Sequence, residues 1–375
     1  MEKKWKEILV AEPEPIGSYC PQDVVFLLKN ISDVMVETVL QEREAAIQGG
    51  IHYSEMLPVE FRPSPVYMKL FYKTLKQSAV KVALAVGTVA ELIFRKRGTN
   101  LVLVSLARAG TPVGILIKRY LDRIYGIKLP HFSISIIRDK GVDENALIYI
   151  LQHYQDRQIQ FIDGWTGKGV ITQVLTQACQ DFAHKFDYQL NPDLAVLADP
   201  GRCVRTYGTQ EDFLIPSACL NSTVSGLVSR TVLRRDLIGK TDFHGAKFYR
   251  ELKSEDVSAL FVDTIAGCFR EVESRARAQA LKLQKKYSEN ISWQGLKDIH
   301  SICKHYGIED INLIKPGVGE TTRVLLRRVP WKILVDDKNN PNLKHIFMLA
   351  ADRGVPVEEY RGLSYSCCGI ISKVE

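Results

Sequence analysis

This 375-residue chain lacks a strong charge bias, metal-type cysteine spacing, an export signal and long apolar runs. Lys and Arg number 50 against 43 Asp and Glu, a formal charge of +7 that is mild for this length. Such a balance is compatible with an anionic ligand or nucleic acid and identifies neither. The eight cysteines form no CxxC pair and no zinc-like Cys/His spacing, so they read as free thiols, the adjacent Cys367 and Cys368 included. Met1 to Lys6 shows no apolar run followed by a small-residue cleavage site. No apolar stretch approaches the roughly 18 residues of a spanning helix. The expectation is a soluble, cytoplasmic protein with no membrane partner. Internal repeats and low-complexity tracts are missing too. What is present is ordinary, 46% hydrophobic and 25% charged, which excludes collagen-like, coiled-coil and wholly disordered chains. At roughly 100–200 residues per domain, the length suggests about two domains.

Val24, Leu27, Leu28, Ile31, Val34, Val36 and Val39 predict an amphipathic helix over 23–43. A Gly- and Pro-bearing loop then leads to a predicted helix over 66–94, so the first hundred residues read as mainly helical. The texture changes at Asn100. Strands are predicted over 101–104, 132–137, 159–162 and 194–198, separated by helices over 113–124, 146–154 and 171–186. Leu101 to Val104 is continuously apolar, as expected of a strand covered on both faces. Regular alternation of this kind argues for a parallel α/β sheet. The polar, glycine-bearing loops all follow strands, at the carboxyl ends where open sheets bind ligands. Past Asp236 a helix is predicted over 248–270, then a solvated basic helix over 271–286 and a boundary at 288–290. The remainder reads as a compact α/β unit, with strands over 311–314, 333–335 and 357–360 and helices over 320–328 and 343–352.

The stretch from Phe161 to Gly169 carries the chemistry. A phosphate at a helix N-terminus is held by unpaired backbone N–H groups and the positive end of the macrodipole. Glycines allow close approach, and Thr166 can add a hydroxyl donor. Asp163, at a strand end, is placed to accept hydrogen bonds from sugar hydroxyls. A Walker A loop is excluded, because only two residues separate Gly164 from Gly167 and Gly follows Lys168. The dinucleotide fingerprint fails at Thr172. A tight strand-to-helix turn without a ligand fits the same residues.

That stretch resembles the PRPP-binding motif of type I phosphoribosyltransferases. The resemblance implies an α/β fold of that type, PRPP as co-substrate and Mg²⁺ held by Asp163. It also implies Thr166, Gly167, Lys168 and Gly169 on the 5′-phosphate, and Ala107, Arg108, Ala109 and Gly110 on pyrophosphate. Asp163, Arg138 and Lys140 would be the catalytic residues, the two cations sitting on a loop that closes over the site. The acceptor would be an unidentified nitrogenous small molecule. One departure is that Gly164 replaces the second acid of the usual pair.

Over the first 255 or so residues, including 52–57, 134–138, 163–169 and 212–226, the chain resembles a bacterial phosphoribosyltransferase-like family of tellurite-resistance and stress gene clusters. That family is also labelled cysteine protease StiP. The two labels imply incompatible chemistries. A cysteine hydrolase needs a thiolate beside a histidine, and the candidates are Cys219 and His244, with Asp242 or Asn221 as orienter. Linear spacing does not bring them together. A non-catalytic PRPP or nucleotide sensor is a third reading. Residues 317–323, 329–335 and 350–357 resemble the Pelota and L7Ae-type RNA-binding fold, which implies RNA contacts by Glu320, Arg323 and Lys315. The expected organisation is a helical extension (1–99), an α/β core (100–255), a helical connector (256–290) and an RNA-binding domain (291–375). The transferase is the leading expectation.

Overall fold

The computed structural model describes residues 4–39, 46, 49–60, 62–285 and 291–372. Its centre is a parallel sheet built from β1 (Val25–Leu27), β2 (Leu101–Ala107), β3 (His131–Ile137), β5 (Gln158–Trp165), β6 (Leu194–Ala198) and β7 (Thr206–Thr209), with the two-residue β4 (Gly141–Val142) folded back on β3. The strand order is β1-β3-β2-β5-β6-β7, every neighbour parallel. Helices α1 (Pro65–Arg97) and α2 (Gly110–Tyr125) cover one face, and α3 (Glu144–His153) and α4 (Val170–Phe186) the other. The apolar runs predicted as strands are buried on both sides for this reason.

The segment after Asp23 differs from its predicted helix. Val25 to Leu27 pairs with Phe132 to Ile134 as an edge strand, and a turn at 32–34 interrupts the chain. Three-residue spacing fitted a helix, but Val24, Phe26 and Leu28 alternate toward the α1–α2 layer while Leu27 enters the opposite one. The part of that predicted helix over 40–43 lies outside the described residues, as does the boundary at 288–290. Helix α1 also corrects the expectation about apolar runs. It is long and apolar enough to cross a membrane by composition, yet 72% of its most apolar window is buried inside the molecule. The predicted helix over 248–270 divides into a 3-10 segment, Arg250–Glu255, and α5 (Ser258–Gly267). Helix α6 (Phe269–Lys285), expected as a solvated connector, packs a buried stripe of Phe269, Val272, Ala276 and Ala280 along α1.

The C-terminal unit comprises α7 (Gln294–Tyr306), β8 (Ile314–Pro316), α8 (Val318–Arg327), β9 (Pro330–Val335), α9 (Lys344–Asp352), β10 (Val357–Glu359) and β11 (Cys367–Ile371). Its sheet runs β8-β11-β9-β10 and is mixed. Helix α7 and strand β11 were not foreseen. The unit is seated on the first one: Val318, Leu325 and Ile333 belong to the same buried cluster as α1 and α2. Cys367 and Cys368 are both buried free thiols.

Candidate active site

Strand β2 is followed in the chain by β3 on one side of it and then by β5 on the other. This reversal opens a crevice between the carboxyl ends of β2 and β5, the position where open parallel sheets bind ligands. The loops carrying Arg108 and Lys168 both end there. Gly110 starts α2 with its backbone so close to β5 that a Cβ would lie 2.5 Å from the Ile162 carbonyl oxygen. The C-terminal unit roofs the crevice and leaves a cavity of about 350 Å³, lined by Ala107, Arg108, Ala109, Arg138, Asp163, Trp165 and the 166–169 loop from below and by Lys315, Glu320 and Arg323 from above. A second cavity of about 210 Å³ continues from Arg108, Trp165 and Arg323 to Ser217 and Asn221.

Asp163 is half-buried on the cavity floor and accepts a hydrogen bond from the Gly164 amide at 2.7 Å. Burial raises its carboxyl to about 7, only partly opposed by that bond. It can therefore give or take a proton near neutral pH. Toward the expected Mg²⁺ Asp163 offers one carboxylate, Gly164 standing where the usual pair has its second acid. Among the described residues no three His, Cys, Asp or Glu gather as metal ligands.

The loop after β5 is tied in part by contacts within the chain. The Thr166 amide donates to the Ala198 carbonyl at 3.0 Å, and its hydroxyl donates to Asp199 at 2.6 Å. The Gly167 carbonyl accepts from the Tyr365 hydroxyl at 3.0 Å. Gly169, with φ of 82°, lies against the Trp293 ring. The Lys168 ammonium donates to the Ile311 carbonyl at 2.8 Å. Burial lowers the Lys168 pKa to about 8, with Lys315 and Arg138 acting in the same direction.

Arg108 is held by the Val228 carbonyl at 3.1 Å and by Glu60 at 3.5 Å. Glu60 in turn accepts the Ser222 amide at 2.9 Å. Although burial works to raise the Glu60 pKa, Arg108 and Ser222 bring it below the usual range. The Arg138 amide receives the Tyr53 hydroxyl as its acceptor-side neighbour at 2.7 Å, the N–H donating to the phenol oxygen. Lys140 lines a different cavity, of about 420 Å³, beside Asp143 and His244. In the roof, the Arg323 guanidinium donates to Glu320 at 2.7 Å and to the Ala218 carbonyl at 2.9 Å, and its centre lies 5.5 Å from the Trp165 ring centroid. Glu320, Arg323 and Lys315 thus face the crevice.

Cys219 ends the 3-10 turn Pro216–Cys219, whose neighbours Ser217 and Leu220 line the smaller cavity. Its own side chain is fully buried in the main core. His244 places Nδ1 2.9 Å from the Ser135 hydroxyl, which donates to Thr231. Its amide donates to Asp143.

Several structural residues of this region escaped the sequence reading. Asp199 and Asp212 are buried acids, each pushed up to about 6 by desolvation. Asp212 accepts the Val318 and Ser366 amides at 2.9 Å each, capping α8 and fastening the C-terminal unit. Asp199 at the end of β6 had the same strand-end signal as Asp163, and that was the available clue.

The family model described as tellurite-like stress resistance cysteine protease StiP matches residues 17–266. A curated relative, "Cysteine protease StiP" of Acinetobacter baylyi, is 33% identical over 342 residues, covering 88% of this chain and 87% of the relative. The chain belongs to the StiP family. A model of the PELOTA RNA binding domain matches residues 293–373 of this StiP-family chain. These findings correct the leading expectation: family and relative are described as cysteine proteases, and neither as a phosphoribosyltransferase. The physical reasons are local. The second acid is Gly164, and the Thr166 amide and hydroxyl already have partners within the chain.

Proposed function

We propose that this StiP-family chain is a thiol-dependent peptidase whose nucleophile is Cys219 and whose substrate lies along the crevice between the parallel sheet and the C-terminal unit. The reading is carried by the likeness to a cysteine protease across 88% of the chain. The position of Cys219 next to Ser217 and Leu220 of the cavity wall supports it. In such chemistry a base removes the thiol proton and the sulfur attacks the peptide carbonyl carbon. The C–N bond then breaks as the amine takes up a proton, and water hydrolyses the thioester. The sequence offers His244 as the base, but its ring lies against Ser135 beside the separate cavity of about 420 Å³, so the reading rests on Cys219. The thiol is enclosed, so the Pro216–Cys219 turn opens before reaction, releasing the Arg323 bond to Ala218. A buried thiol is inert, and reactivity requires exposure and a thiolate.

The test is cleavage of fluorescently labelled casein by the full chain, with and without prior alkylation by iodoacetamide. Alkylation and Cys219→Ala are each expected to lower the rate by at least about 100-fold. Cys303→Ala, which removes a half-buried thiol of α7, is expected to stay within about twofold. Cleavage that survives Cys219→Ala would remove that residue from the mechanism.

A further inference from the structure

The crevice gathers cations from both units. Lys168 follows β5, Arg138 follows β3 and Lys315 belongs to β8, and all three line the cavity of about 350 Å³. None of them has a carboxylate within ion-pair distance among the described residues. Bringing like charges together in a partly desolvated space is unfavourable, and an anion of matching size relieves it. Burial, together with mutual repulsion from Arg138, lowers the pKa of both Lys168 and Lys315. Trp165 lines the same cavity and offers a ring. Cations that track a backbone beside an aromatic platform suit single-stranded nucleic acid.

The C-terminal unit has a second basic and aromatic patch. Trp331 is 44% exposed there, and Lys332 lies over its ring and that of Tyr306. Lys332, however, pairs with Glu358 at 2.6 Å, so its charge is already neutralised. Lys168, Arg138 and Lys315 in the crevice carry no such pairing among the described residues.

We propose that this chain binds single-stranded RNA through a composite site in the crevice, the RNA phosphates held by Lys168 and Arg138 of the sheet unit together with Lys315 of the C-terminal unit. The RNA interface thereby extends beyond the matched PELOTA region and needs the first unit to be complete. The proposal rests on the charge arrangement and the RNA-binding match and not on the peptidase reading, although both place a ligand in the crevice. Casein cleavage and RNA binding are separate readouts.

The experiment is fluorescence anisotropy of a labelled 12-nucleotide single-stranded RNA with the full chain at 50 to 200 mM salt. Lys168→Ala and Arg138→Ala are each expected to weaken binding about tenfold at the lower salt, the size of a lost charged hydrogen bond. Each is also expected to flatten the slope of log K against log salt by about 0.7. Trp331→Ala is expected to bind within about twofold of the parent. Unchanged thermal midpoints establish that the variants are folded. Parent-like binding by both charge variants, loss confined to Trp331→Ala, or failure of the parent to bind RNA would each overturn the proposal.

Discussion

Replacing Asp163 by Asn isolates the cost of holding a carboxyl on the crevice floor. Burial raises this group from 3.8 to about 7. At 1.36 kcal/mol per pKa unit the upper bound is about 4 kcal/mol, and water reaching a half-buried side chain reduces it to about 2 kcal/mol. The sign follows from proton linkage. The native state holds its proton up to about pH 7, whereas the unfolded chain releases it near 4. Stability from this group is therefore fully present below pH 4 and is lost as pH rises toward 7. Asn retains an oxygen for the Gly164 amide and does not titrate. In urea denaturation from pH 4.5 to 8.5, the variant is expected to be close to the parent at the acid end. It should become more stable through pH 5–7, and hold a constant gain of about 2–4 kcal/mol above pH 7.5. Asp199 and Asp212, both raised to about 6, titrate in both proteins and cancel in the difference. A difference independent of pH, or a variant less stable at pH 8, would refute the desolvation argument.

Gly114→Ala directs a methyl group into the Ser105 hydroxyl and the His131 ring, whose hydrogen bond is fully buried. It should lower stability by about 3 kcal/mol in thermal unfolding. Asp212→Ala leaves the Val318 and Ser366 amides without their acceptor. A loss of about 2–4 kcal/mol is expected, seen as faster limited proteolysis of the C-terminal unit, with Asp212→Asn intermediate. RNA affinity in the crevice should fall about tenfold from pH 7 to pH 9, because Lys168 is lowered to about 8 by burial, Lys315 and Arg138, with Asp310 and Cys303 opposing. Lys168→Arg should show a shallower fall over that range, Lys315 being lowered as well, and a parent profile that is flat would count against Lys168 as a contact.

The parallel sheet was legible because its strands are continuously apolar and evenly spaced between helices. Leu101 to Ala107 and Leu194 to Ala198 are covered on both faces, and that environment writes itself into composition. The edge strand Val25–Leu27 was not legible. It is three residues long, and its register comes from β3, more than 100 residues away. Helix α6 misled for a different reason: its basic residues are prominent in the sequence, while its contact face uses the small Ala276 and Ala280. For the crevice, the strand-end position of Asp163 was readable, but the partners that define its chemistry were not. Tyr365, Trp293 and Asp199 reach the 163–169 loop from distant segments, and spacing within the loop carries no trace of them.

A glycine-rich turn after a parallel strand signals that something approaches the backbone closely, and it does not say what. Here the approaching groups belong to the chain itself: Trp293 over Gly169, and Tyr365 on the Gly167 carbonyl. The conformational freedom that would admit a phosphate admits an aromatic side chain equally well. The turn accordingly serves to seat the C-terminal unit, and in doing so sets Lys315 and Arg323 opposite Lys168 and Arg138. Arg323 occupies a pivotal place, since one guanidinium contacts Glu320, Trp165 and the carbonyl adjoining Cys219. One side chain thus bridges the charged crevice and the turn that carries Cys219.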